Sequence, residues 1–163
     1  MIARPEKIIS GGQTGADMGA LLAARELGIP TGGVAPKGWL TENGPQEELL
    51  RNFGLIECEE DGFPARTRRN VRGATGTLLV GEHRTGGSRL TRECAAQLEK
   101  PLFLLSFPSG LSRMREFQDW LRRYQVQVLN VAGNRESQSP GIAKFTHDFL
   151  LRALRSSGGL SDD

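Results

Sequence analysis

The chain has 163 residues, a formal net charge of +2 and 21 glycines, enough for one domain that buries roughly 70% of the surface its unfolded form exposes. Near-neutral charge gives little support to nucleic-acid binding. No apolar run approaches the roughly 18 residues of a membrane span, and MIARPEK lacks the apolar core of a signal peptide, so a cytoplasmic globular protein is expected.

KIISGG reads as a strand and ADMGALLAARELG as a helix, in which Ala20, Ala23, Ala24 and Leu27 recur at helical spacing and are small enough to lie close to a sheet. Thr14 followed by Asp17 matches a capping box, and Gly28 with Pro30 supplies the stop. TGGVAP is the next strand. KGWLTENGPQEELL is the longest irregular piece, its NG and GP dipeptides favouring turns. LIECE, GTLLVGE, PLFLLSF and VQVLNVAG read as further strands, PLFLLSF being apolar enough for burial on both faces. PARTRRNVRGA, GSRLTRECAAQLEK, LSRMREFQDWLRRYQ and GIAKFTHDFLLRALR are the helices between and after them. Phe117, Trp120, Leu121 and Tyr124 give one helix a broad apolar side, suited to the core or to a subunit contact. Residues 1–156 form a single expected domain, and 157–163 an expected flexible tail.

Alternating β and α elements predict an α/β domain, a three-layer sandwich around a mainly parallel sheet, because parallel strands need a crossover. With a ligand turn after the first strand, the expected order is about 3-2-1-4-5, and ligands then bind beyond the carboxyl ends of the strands where that order reverses. GGQTGAD, PKGW, GEHRTGGSRLT and AGNRESQSPG all follow strands and are expected to gather there.

GGQTGAD is neither a dinucleotide fingerprint nor a P-loop, yet its glycines permit close backbone approach and a helix start favours an anion. RTGGSRLT repeats the plan, with Ser88 placed as N-cap. Arg68 and Arg72 lie one helical turn apart, and the arginines of RTRRNVR are expected mostly on a solvated face. Neither histidine has an evident carboxylate partner, Glu93 is expected on the helix surface, and Cys58, Cys94, His83 and His147 are too scattered for a metal site or disulfide. The candidates for a nucleophile with its base, or for a carboxylate placed for acid/base work, are thus poor.

Six ordered blocks, SGGQTGAD, GIPTGGVAPKGW, ENGP, RTRRNVRGATGTLL, RTGGSRLT and LNVAGNRESQSPGI, running from about Ile9 to Ile142, resemble the molybdenum cofactor carrier family. The resemblance implies a Rossmann-like fold, homo-oligomers, and reversible binding of the molybdenum cofactor (molybdopterin), a pterin bearing a dithiolene-held metal and a terminal phosphate. Its partners would be molybdoenzymes or cofactor-biosynthesis proteins. It also suggests kinship with cytokinin-activating phosphoribohydrolases, whose motif is PGGxGTxxE. Here TGGSRLTRE keeps Gly86, Gly87 and the spacing to Glu93, but has Thr85 for the proline and Arg89 and Leu90 for the glycine and threonine, which weakens the hydrolase reading. The expected ligand contacts are Gly11, Gly12, Gln13, Thr14, Gly15, Lys37, Asn70, Gly86, Gly87, Ser88 and Thr91, with the loop of Trp39 as a cover. A nucleotide derivative would satisfy the same turns, as a sensor ligand or as a nucleoside monophosphate substrate.

Overall fold

The computed structural model describes residues 2–155, so the expected tail at 157–163 lies outside the described residues. Among the described residues, eight strands and six α-helices follow in the order β1 (Lys7–Ile9), α1 (Ala16–Leu27), β2 (Thr31–Ala35), β3 (Leu40–Thr41), β4 (Gly44–Pro45), α2 (Glu47–Asn52), β5 (Leu55–Glu57), α3 (Phe63–Gly73), β6 (Gly76–Val80), α4 (Gly86–Gln97), β7 (Leu102–Leu105), α5 (Met114–Arg123), β8 (Val128–Gly133) and α6 (Ile142–Leu154). Six of the strands form one parallel sheet. β3 and β4 form a separate two-stranded hairpin inside the expected irregular segment.

The three-layer α/β class holds, but the strand order does not. The sheet runs β5-β2-β1-β8-β6-β7. The expected order, about 3-2-1-4-5, sets the fourth strand directly beside the first. Instead β8, with Leu129, Asn130 and Val131 all buried, enters the middle and pairs with β1 on one side and β6 on the other. A strand apolar on one face and filled by buried polar groups on the other would lose that cover at an edge. The strand buried throughout is β6, every residue of which is inside. PLFLLSF contributes the edge strand β7, with Leu102 and Leu104 only partly covered.

The two faces of the sheet differ in chemistry. Against α1, α5 and α6 the strands present Ile8, Leu78, Val80, Leu129 and Val131, packed with Phe103, Phe117, Trp120 and Phe149. The Phe117 ring lies 5.4 Å from Phe103 and 5.3 Å from Phe149, centroid to centroid. Thus the apolar side of α5 is taken up by the core, and only Tyr124 of its four large residues stands exposed. The small residues of α1 act as expected: Ala20, Ala23 and Ala24 are fully buried. A Cβ on Gly19 would sit 2.2 Å from the Ala143 carbonyl oxygen, so α6 can lie directly on α1 only with glycine there. Gly28 ends α1 in the left-handed conformation, its N–H returning to Ala24 and Arg25.

Alternation along β8 sends Asn130 to the opposite face, toward α3 and α4, beside Thr77 of β6. There the apolar packing is thin, centred on Val71, Cys94 and Ala95, and buried polar groups complete it. Asn70 of α3 accepts from the Val34 N–H at 2.8 Å and donates to the Val34 carbonyl at 2.9 Å, taking the place of a strand partner. Asn70→Ala would leave both buried groups unpaired, and urea unfolding is expected to show a loss of about 2 kcal/mol.

Candidate functional site

A cleft of about 290 Å³ opens at the carboxyl edge of the sheet between α3 and α4. One wall is the start of α4. Its N-cap is Thr85, with extended backbone, rather than Ser88. The helix begins three residues earlier than a Ser88 N-cap implies, because paired glycines are tolerated in a first turn whose N–H groups carry no intrahelical bonds. The first such bond is Arg89 N–H to the Thr85 carbonyl, so the N–H groups of Gly86, Gly87 and Ser88 all precede it. A Cβ added to Gly86 or Gly87 meets nothing within 4 Å. Thr91, one turn on, donates to the Gly87 carbonyl and lines the same wall.

The floor is the end of β8, where Asn134 is buried and pins the loop after β6. Its Oδ1 accepts from the Glu82 N–H and its Nδ2 donates to the Glu82 carbonyl. Gly81 is required because a Cβ there would lie 2.2 Å from Asn134 Oδ1.

The facing wall is α3, which presents Phe63, Arg66 and Thr67 to the cleft at helical spacing. Arg66 Nη1 lies 3.3 Å from Asp17 Oδ2, with side-chain exposures of 12% and 5%. Burial pushes the Asp17 carboxyl up, to about 6, against the opposing pull of Arg66 and the Gln13 N–H. Burial also lowers Arg66, with Asp17 acting the other way.

The glycine turn after β1 is built largely around these two side chains. Asp17 takes the Gln13 N–H at 3.1 Å, so the turn holds a carboxylate of its own, and Asp17 is a turn ligand rather than half of a capping box. A Cβ on Gly11 would lie 1.7 Å from Arg66 Nη1. Gly12 has φ +77° and faces Leu50 and Leu55, while Gly15 has φ +80° and lets the Asn134 carbonyl approach. That carbonyl accepts from the Ala16 N–H at the start of α1. Thr14 does not cap α1, whose N-cap is Gly15. It donates to Glu42 and accepts from the Glu136 N–H, because the hairpin β3–β4 and the loop after β8 both close on this turn. Glu42 also takes the Ser137 hydroxyl and N–H, and these bonds hold its carboxyl below the usual range.

Of the expected contacts, the cleft therefore gathers Gln13, Gly86, Gly87, Ser88 and Thr91. Gly11, Gly12, Thr14 and Gly15 shape it from behind. Asn70 ties α3 to β2, and Lys37 lies 3.6 Å from Asp61 on the surface. Trp39 is buried with Leu21, Leu50 and Phe53 rather than placed as a cover. Arg66 and Phe63, which line the cleft, are absent from the expected site, whereas Asn134, Arg135 and Gln138 reach it within the expected AGNRESQSPG segment. The signal for Arg66 was its i, i+4 relation to Asn70 within RTRRNVR, which puts both on the face turned to the sheet. Glu93 lies on the exposed side of α4, paired with Arg89 at 2.8 Å.

The family model that matches residues 8–154 is that of the circularly permutated YpsA SLOG family. The chain belongs to this family. The crystal structure of a protein from Syntrophus aciditrophicus SB, named "putative molybdenum carrier protein", is 36% identical, with 96% of this chain and 98% of that one covered and a TM-score of 0.87. The structure of (E)-4-hydroxy-3-methyl-but-2-enyl diphosphate reductase is 13% identical over 91% of this chain and 59% of its own, with a TM-score of 0.39, too distant to bear on the site. No curated protein matches the chain. Permutation accounts for the position of β8: counted from that strand, the sheet reads 4-3-2-1-5-6, a doubly wound order with one reversal, between β8 and β6. The cleft lies at that reversal.

Proposed function

We propose that this protein binds and carries the molybdenum cofactor as a phosphorylated pterin anion in the cleft between α3 and α4. The observation that carries the reading is the open start of α4, with the N–H groups of Gly86, Gly87 and Ser88 preceding the first intrahelical bond, opposite the buried Arg66. Helix-start N–H groups and an arginine both suit a phosphate. The name given to the relative, "putative molybdenum carrier protein", supports the choice of cargo. Gln13 and Thr91 belong to the same lining, Gly11, Gly12, Thr14, Gly15 and Asn70 act by holding its walls, and Lys37, paired with Asp61 on the surface, stands apart from it. Carriage rather than hydrolysis is favoured because Glu93, the carboxylate that a phosphoribohydrolase motif would use, is exposed and paired with Arg89. Assembly into homo-oligomers in the cytoplasm belongs to the same reading.

Anaerobic calorimetry with molybdenum cofactor is expected to give saturable binding at one site per chain, and light scattering of the same preparation a mass above that of one chain. Absence of binding overturns the cargo assignment. Mass spectrometry of small molecules released from anaerobically purified protein then identifies any nucleotide derivative held in its place.

A further inference from the structure

Of the helices that start at this edge of the sheet, α1 and α6 have their starts filled by the protein itself. At α1 the Ala16 N–H meets the Asn134 carbonyl, and the Asp17 carboxylate sits in the preceding turn. At α6 the Glu136 carboxylate accepts from the N–H groups of Gly141 and Ala143. The start of α4 faces the cleft instead, leaving room for one external phosphate. Close by stands Phe63, at the first turn of α3. It lines the cleft yet is 43% exposed, whereas Phe53, Phe117 and Phe149 are almost wholly buried. The Arg66 guanidinium lies 5.4 Å from the Phe63 centroid, so one side of the ring rests on the same arginine that faces the phosphate site while the rest is open to water. An aromatic ring left wet beside a polar, anion-suited cleft is a stacking surface lacking its ring. The volume of about 290 Å³ is at the small end for ligand sites, and suits one fused ring system with one phosphate.

Resting on the carrier reading above, we propose that Phe63 is the platform on which the planar heterocycle of a monophosphorylated ligand stacks, its phosphate at the start of α4. Phe63 then sets specificity for a fused heteroaromatic over a sugar phosphate, and Arg66 links the two subsites by packing on the ring and facing the anion. Two phosphorylated halves, as in a dinucleotide form of the cofactor, exceed what the cleft holds.

The test uses GMP, whose guanine shares the amino-oxo pyrimidine of a pterin, and ribose 5-phosphate, which keeps the phosphate and loses the ring. By calorimetry on the full chain, GMP is expected to bind about tenfold more tightly than ribose 5-phosphate. Phe63→Leu is expected to weaken GMP about tenfold and leave ribose 5-phosphate within twofold, and Phe63→Tyr to keep both. Unfolding curves for the variants matching the parent exclude a folding effect. Equal affinities for the two probes, a parallel loss of both in Phe63→Leu, or a change of mass in light scattering of that variant overturns the platform. Failure of GMP to bind a protein that takes molybdenum cofactor overturns the platform alone. Failure of every phosphorylated probe overturns the carrier reading with it.

Discussion

Arg66→Leu is expected to cost about 3–5 kcal/mol of folding stability at pH 8, read from denaturant unfolding, and markedly less at pH 5. Arg66 and Asp17 are both inside, 3.3 Å apart, and removing the cation leaves a buried carboxylate held mainly by the Gln13 N–H. The pH dependence follows from the carboxyl. Its folded value of about 6 stands above the ordinary 3.8 because burial outweighs Arg66, so the folded chain holds this proton more tightly than the unfolded one. The stability it contributes is fully present below pH 3.8 and is lost as the pH rises through 6, a change of about 3 kcal/mol. Without Arg66 the lowering influence disappears and the folded value climbs further. The variant thus stays near full strength while Asp17 is protonated and weakens at higher pH. His147 works in the same direction: burial opposes its protonation, but hydrogen bonds to Asp148 and Glu26 outweigh burial and raise it. The control is therefore Asp17→Asn, in which the Asp17 part of the slope vanishes and that of His147 remains. An Arg66→Leu penalty equal at pH 5 and pH 8 would show that the pair does not govern this part of the fold. Arg66→Lys, which keeps the charge, is expected to recover much of the loss.

The same pair shows where sequence reading stops. Periodicity reads the six strands of the sheet, the five helices other than α2, and the layering, because each rests on local chemistry: small residues along α1, apolar runs in the sheet, Gly28 at a helix end; β3, β4 and α2, short and set within KGWLTENGPQEELLRN, escape it. Strand order was out of reach. VQVLNVAG carries the same local pattern at an edge or in the middle, and its central place depends on pairing with β1 and β6 across long stretches of chain. The cleft was half legible. GGQTG and RTGGS were both readable as strand-to-helix turns, but only the fold shows that the first is occupied by Asp17 and the second is open. Arg66 looked like one of several solvated arginines, and its burial is set by Gly11, whose missing Cβ makes the room, far away in sequence. Phe117 and Trp120 had two readings, core or partner surface, that no local rule separates.

Valine at Gly12 and at Gly87 is expected to do opposite things, although the two glycines occupy matching turns. Gly12 has φ +77°, and a Cβ there would lie 2.8 Å from Leu50 and 3.0 Å from Leu55. A β-branched residue in the left-handed region costs about 1–3 kcal/mol, and overfilling the packed cluster beneath about 1–3 more. Gly12→Val should therefore lose about 2–6 kcal/mol in unfolding experiments, with binding affected only through the fraction folded. Gly87 lies inside the first turn of α4, where a Cβ meets nothing within 4 Å and the helical backbone accepts any L residue. Gly87→Val should leave stability within about 0.5 kcal/mol of the parent. Its branched side chain would project into the cleft beside the N–H groups assigned to the phosphate, so affinity for molybdenum cofactor or GMP should fall at least about tenfold, or 1.4 kcal/mol. The measurement is a pair of unfolding curves and a pair of titrations. A stable Gly87→Val protein with undiminished affinity would remove the start of α4 from the binding site, since no other position tests that wall with so little disturbance of the fold.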